Sequence, residues 1–219
     1  MCSAGSLLHA PAEMCGLAGL VDPSGGRTAE ELHELARAMA DRLVHRGPDD
    51  HGSWADPAVG VALGHRRLSI VDLSEAGHQP MVSADGRWVL AYNGELYNTS
   101  ELRNSVGLGV RDLRGHSDTE VFLEAIARRG VEPAVRQAIG MFAFAAWDVQ
   151  RRELWLGRDR FGEKPLFYGH HDGALLFGSE LKALSAVTGF RPSVDPDSLV
   201  ELLRWSCVPA PWTIYHGVW

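Results

Sequence analysis

The chain has 219 residues, 45% of them hydrophobic and 22% charged, the balance of one soluble globular domain able to bury a real core. Its formal net charge is -7, with acidic and basic residues interspersed and no basic stripe, which argues against a nucleic-acid partner. No apolar run approaches the roughly 18 residues of a membrane span, and Cys2, Cys15 and Cys207 stand in no paired or metal-ligand spacing. The expectation is therefore a cytoplasmic protein off the membrane, without structural disulfides or a bound metal.

Residues 1–13 are small and almost uncharged, contain Pro11 and lack a basic leader, so they read as an extension. Met14 and Cys15 precede an apolar, glycine-spaced run at 16–21 that reads as a buried strand. If the chain begins at Cys15, thiol and free α-amine share one residue. An amine titrating near ~7.7 to 8.0 can take the proton of a thiol titrating near ~8.5. While the extension is attached there is no such amine. Either translation starts at Met14 and the methionine is trimmed, or residues 1–14 are a removable propeptide. Cys2 could also become terminal, but residues 3–11 do not look like a strand that holds a nucleophile still. Taken alone, Cys15 is more simply a buried cysteine at a strand start.

Residues 22–26 form a turn whose Ser24-Gly25-Gly26 invites a pyrophosphate-loop reading, but Arg27 and Thr28 follow where that loop needs Asp-Ser. Thr28 and Glu31 make a capping box, after which Leu32, Leu35, Ala36, Met39 and Leu43 line one helical face. Residues 45–52, HRGPDDHG, read as a loop. A strand at 59–63 leads through Gly64-His65-Arg66-Arg67 into Leu68-Ser69-Ile70-Val71. A second strand, 88–92, stops at Asn93-Gly94, which on spacing alone is a type I′ hairpin turn. Ser117 and Glu120 make a second capping box for a helix to about Arg129, with Asp118 in its first turn and Val121, Phe122, Ala125 and Ile126 on one face. Strands at 140–147, 153–157, 166–170 and 174–178, the last two joined by Asp172-Gly173, read as one antiparallel meander. A short helix at 179–186 follows, and Asp195 with Pro196 opens another through Leu199, Leu202 and Leu203. The final stretch, 208–219, ends apolar, as if cut before a next element. Helices and antiparallel strands cluster rather than alternate, so the expected class is α+β in layers.

Eight blocks then add up: MCGLAGLV at 14–21, HRGPDDHG at 45–52, HRRLSIVD at 65–72, AYNGELYN at 91–98, HSDTE at 116–120, GMFAFAAWD at 140–148, GRDRFGEKPLFY at 157–168 and FGSELKAL at 177–184. In this order they closely resemble the glutaminase domain of glutamine-hydrolysing asparagine synthetases, a class II glutamine amidotransferase. The resemblance implies an N-terminal-nucleophile hydrolase fold, a four-layer αββα sandwich of two antiparallel sheets, and conversion of glutamine and water to glutamate and ammonia.

Carried over residue by residue, Cys15 is the nucleophile forming a γ-glutamyl thioester, and Asn93 and Gly94 are the oxyanion donors. Arg67 takes the glutamine α-carboxylate. Asp118 takes the α-ammonium, helped by Glu95 and by backbone of Leu68, Ser69, Ile70 and Val71. Each has a plainer reading alone: Arg67 a surface ion pair, Asp118 a helix-dipole acid, Glu95 a solvated strand end. The implied organisation is an extension at 1–14, a glutaminase domain at 15–190, and a helix and linker at 191–219 leading to a synthetase domain that is missing here. No cofactor is implied for this portion, since ATP and Mg belong to the synthetase domain. The implied partners are glutamine and that domain in cis, and a homodimer is allowed. Two alternatives stand beside this: a non-aspartate ammonia acceptor in specialised biosynthesis, and a non-catalytic glutamine-binding or truncated module.

Overall fold

The structure, a computed structural model, describes residues 14–70 and 72–219. The expected extension, Cys2 and Val71 fall outside the described residues. In chain order the elements are β1 (Gly16–Val21), α1 (Ala29–Asp41), β2 (Asp50–Asp56), β3 (Val61–Arg67), β4 (Met81–Val82), β5 (Trp88–Leu96), α2 (Thr99–Ser105), α3 (Asp118–Arg129), α4 (Val131–Gln137), β6 (Gly140–Asp148), β7 (Glu153–Arg158), β8 (Phe167–His171), β9 (Ala174–Gly178), α5 (Leu181–Leu184) and α6 (Pro196–Trp205).

The strands form two antiparallel sheets, one ordered β2-β3-β1-β9-β8 and the other β4-β5-β6-β7. Side chains alternate across each strand, and the alternation sorts the core into three layers. Ala18 and Leu20 of β1 join Leu32, Ala36 and Met39 of α1 on the outside of the first sheet. On the outside of the second, Phe122 of α3 packs among Tyr92, Phe142 and Phe144, with ring centroids 5.4 to 6.2 Å apart in mostly tilted or edge-on pairs. Between the sheets lie Leu17, Leu63, Val89, Ala91, Ala143, Ala145, Trp147 and Phe177. Truncating an enclosed ring such as Phe177 to alanine costs ~3 to 5 kcal/mol at such sites. The expected αββα layering is what the chain forms.

Several local readings are corrected. Residues 50–52 are not loop but the start of β2, an edge strand, where charged side chains such as Asp50 keep the edge from pairing further. Asn93-Gly94 is not a turn. The strand β5 runs through it in unbroken register with β6, Asn93 opposite Ala143 and Gly94 opposite Phe142. Neither residue has the positive φ that a type I′ turn requires. Gly94 is glycine because a Cβ there would collide with the Met141 carbonyl oxygen and Phe142. The expected single meander is split: β6 and β7 belong to one sheet, β8 and β9 to the other. The β8–β9 turn does have the inferred form, with Asp172 and Gly173 at φ 49° and 81°.

Cys207 is disulfide-bonded, against the disulfide-free expectation. Residues beyond α6 return to the first sheet, where Tyr168 and Trp219 exchange backbone hydrogen bonds of 2.8 and 2.9 Å. No described helix is long and apolar enough to cross a membrane.

Candidate active site

At one end of the layer between the sheets the apolar filling gives way to polar residues. Cys15 has the same parity as Leu17, Arg67 the same as Leu63, and Asn93 the same as Ala91, so three strands turn these side chains inward. The start of α3 adds Asp118. Cys15, Arg67, Asn93, Gly94, Glu95 and Asp118 all line one pocket of about 320 Å³, together with Leu68 and Ile70. Ser69 is not part of its lining, and its N–H donates to Asp49 Oδ2 at 2.8 Å.

Cys15 is a free thiol held just before β1. Leu68 N–H donates to Sγ at 3.3 Å, and the thiol faces the Leu68 carbonyl at 3.6 Å. Burial pushes the thiol pKa up, opposed by the Leu68 N–H and by the charge of Arg67. Arg46 grips the backbone on both sides: its carbonyl accepts Met14 N–H at 3.0 Å, and its Nε donates to the Cys15 carbonyl at 3.1 Å. Its other end meets Glu180 at 2.9 Å.

Arg67 is 7% exposed. Its guanidinium donates to the carbonyls of Ser74, at 3.0 Å, and of Asp72. Gly77 makes room for it, since a Cβ at that position would run into the guanidinium. The loop that supplies those carbonyls is tied by Asp72, whose carboxylate accepts the N–H groups of His116 and Ser74 and the Ser74 hydroxyl at 2.6 to 2.8 Å. These bonds, the His116 N–H foremost, hold its pKa down at about 2.

Along β5, N–H groups alternate in direction, as in any antiparallel strand. Tyr92, Gly94 and Leu96 therefore turn theirs to the edge away from β6. Tyr92 N–H donates to Gln79 Oε1 at 2.7 Å and Leu96 N–H to Asp118 Oδ2 at 2.8 Å. Gly94, between them, faces the pocket. Asn93 Nδ2 is buried in a residue 1% exposed and has no hydrogen-bond partner among the described residues. An unpaired buried donor costs about 1 to 3 kcal/mol, so its persistence beside a pocket marks a place for an acceptor. Burial pushes the Asp118 carboxyl pKa up against the pull of its two backbone N–H donors.

Sequence reading missed several wall residues. Gln79, Tyr92 and Lys164 line the pocket, and His65 lies just behind it. The Asp72-x-Ser74 spacing is a legible turn signal. Nothing near Gln79 announces its role, because its partner is thirteen residues away in sequence. Among the described residues, no group of three or more His, Cys, Asp or Glu is arranged to hold a metal ion.

The sequence profile of the glutamine amidotransferase domain family matches residues 14–219. The chain belongs to that family. This class II amidotransferase domain is 38% identical over 208 residues to a glutamine-hydrolysing asparagine synthetase of Bacillus subtilis, covering 94% of this chain and 33% of the relative. To a second asparagine synthetase of the same organism it is 42% identical over 171 residues, covering 78% of this chain and 22% of the relative. The domain thus spans about a third or less of the length of these relatives. Its fold is shared with a glutamine phosphoribosylpyrophosphate amidotransferase from B. subtilis, at TM-score 0.65 and 22% identity, over 83% of this chain and 46% of that one. The fold is that of the N-terminal-nucleophile amidotransferases.

Proposed function

We propose that the pocket binds glutamine and that Cys15 hydrolyses it to glutamate and ammonia through a γ-glutamyl thioester. The observation that carries this reading is the unpartnered Asn93 Nδ2 in the wall that also holds the Cys15 thiol. The thiol gives its proton to the α-amine of Cys15, freed by removal of the preceding residues, and sulfur attacks the side-chain amide carbon. Asn93 Nδ2 and Gly94 N–H receive the oxyanion, each such donor being worth ~10² to 10³ in rate. The amine returns its proton to the departing nitrogen, ammonia leaves, and water repeats the sequence on the thioester to release glutamate. A thiol whose pKa is raised by burial needs a base at hand, and an amine on the same residue supplies one.

The zwitterionic end of glutamine is matched by charge. Arg67 offers its remaining N–H donors to the α-carboxylate in a two-pronged contact. Asp118, with Glu95 at the rim, pairs the α-ammonium, and backbone of Leu68 and Ile70 closes the wall. Residues 15–190 act as the glutaminase unit, and 191–219 as helix and linker. By analogy with the asparagine synthetases it resembles, the ammonia passes to a synthetase domain that uses ATP and Mg to amidate aspartate.

Glutamate release from glutamine tests the reading, measured for the full chain and for the chain expressed from Met14. Cys15→Ala is made in both and Cys2→Ala in the full chain. Activity lost with Cys15→Ala and kept with Cys2→Ala is the expected result; the reverse pattern overturns it.

A further inference from the structure

The oxyanion-binding stretch of β5 lies where its sheet has run out of strand. The short β4 pairs only as far as Leu90, opposite Met81, so among the described residues the outward backbone groups of Tyr92 have no strand beside them. Two side chains take its place. Gln79 Oε1 accepts Tyr92 N–H at 2.7 Å, and His65 Nε2 lies 2.9 Å from the Tyr92 carbonyl oxygen. Both are buried, His65 completely and Gln79 at 4% exposure. Burial holds the His65 pKa down to about 4, so at neutral pH the ring is uncharged and donates through Nε2. Among the described residues its Nδ1 has no partner, and the Tyr92 carbonyl is the one hydrogen bond the ring makes. The Tyr92 carbonyl belongs to the peptide that leads into Asn93, and His65 sits two residues before Arg67 on β3. One imidazole therefore ties the strand that carries the carboxylate clamp to the strand that carries the oxyanion donors, across the gap between the sheets.

We infer that Gln79 and His65 are positioning residues of the oxyanion site: they stand in for a missing strand and fix the backbone from which Asn93 and Gly94 reach the reacting oxygen. The inference rests on the glutaminase reading above. A polar side chain accepting an N–H in a buried edge position does what a neighbouring carbonyl does in a ladder. Without it, β5 is free to shift at the point where a displacement of about 1 Å can cost ~10² in rate. Gln79 also lines the pocket, so the competing role is direct contact with the substrate.

The paired variants Gln79→Leu and Gln79→Glu separate the two, because Glu keeps an acceptor oxygen for Tyr92 N–H while replacing the amide NH2. Steady-state glutaminase kinetics are measured beside inhibition by the γ-aldehyde analogue of glutamine. Its addition to the Cys15 thiol forms one C–S bond and an oxyanion, with the thiol proton passing to the α-amine. The expected result for Gln79→Leu is a kcat lower by about 10- to 100-fold with KM nearly unchanged. Aldehyde affinity falls in parallel, binding of the product glutamate is retained, and Gln79→Glu restores most of kcat. A KM increase in both variants with kcat retained, or no rescue by Glu, overturns the inference in favour of substrate contact. Amide hydrogen exchange at Tyr92 gives a readout independent of catalysis: protection lost in Gln79→Leu and kept in Gln79→Glu is expected, and equal protection in all three chains contradicts it. Failure of the wild-type chain to release glutamate would count against the glutaminase reading, while the exchange result would still report on the strand.

Discussion

The helices α1 and α3 begin with the same sequence device and put it to different uses. At α1, Thr28 Oγ1 accepts Glu31 N–H at 3.2 Å and Glu31 accepts Thr28 N–H at 2.7 Å, a closed box on the surface. At α3, Ser117 Oγ accepts Glu120 N–H at 3.2 Å, but the return bond is not made. Glu120 instead turns away to hold the backbone of Arg114 and Gly115 at 2.9 Å. Gly115 packs against Asp72, the residue that ties the loop around the Arg67 guanidinium. Meanwhile Asp118, in the first turn, is half-buried with a carboxyl pKa raised by desolvation. A helix start that serves only the helix completes its local bonds, and one that serves a site leaves them open and accepts a desolvated charge.

Substitutions test that contrast, and the strongest response belongs to the site itself. Asn93→Ala is expected to lower kcat by ~10² to 10³ with the fold intact, as read by glutamate release and circular dichroism; a loss below about twofold would detach Asn93 from the chemistry. Arg67→Lys is expected to raise KM for glutamine by more than tenfold with a smaller change in kcat, because an ammonium cannot reproduce the fork while Ser74 and Asp72 hold its other edge. An unchanged KM would move the carboxylate contact elsewhere.

The raised Asp118 pKa gives a pH-dependent version of the same comparison. The folded chain holds this proton more tightly than the unfolded one. The stability linked to it is therefore fully present below the unfolded value, 3.8, and is lost as pH rises through the folded value. An α-ammonium beside the carboxylate opposes that loss. Thermal stabilisation of Cys15→Ala by glutamine is thus expected to grow as pH rises from about 3.8 toward neutrality. Stabilisation independent of pH over that range would separate Asp118 from the ammonium. The smallest effect is at α1, where Thr28→Ala is expected to cost ~1 kcal/mol of stability and leave kcat and KM unchanged; an altered KM would erase the distinction between the two helix starts.

How much of this was legible in the chain follows the same division. Helix starts, the β1 run and the Asp172-Gly173 turn were readable because local bonds decide them. Asn93-Gly94 has the spacing of a turn but runs straight, because its path is imposed by β6, which lies about fifty residues on in sequence and crowds Gly94. Strand β2 hid behind charges that an edge position permits. The pocket residues came from the resemblance of whole blocks, not from any single spacing. Gln79 lies outside the eight blocks and His65 lies inside one with nothing to assign it a role, because what they contact is backbone at a distant strand, and backbone has no signature.

The most direct test is mass analysis of the chain quenched during glutamine turnover, resolved to the N-terminal peptide. The expected result is a γ-glutamyl group on Cys15, found only in molecules whose N-terminus is Cys15 and chased by water to glutamate. Steady release of glutamate from chains that still carry residues ahead of Cys15, with no adduct on its sulfur, would contradict it.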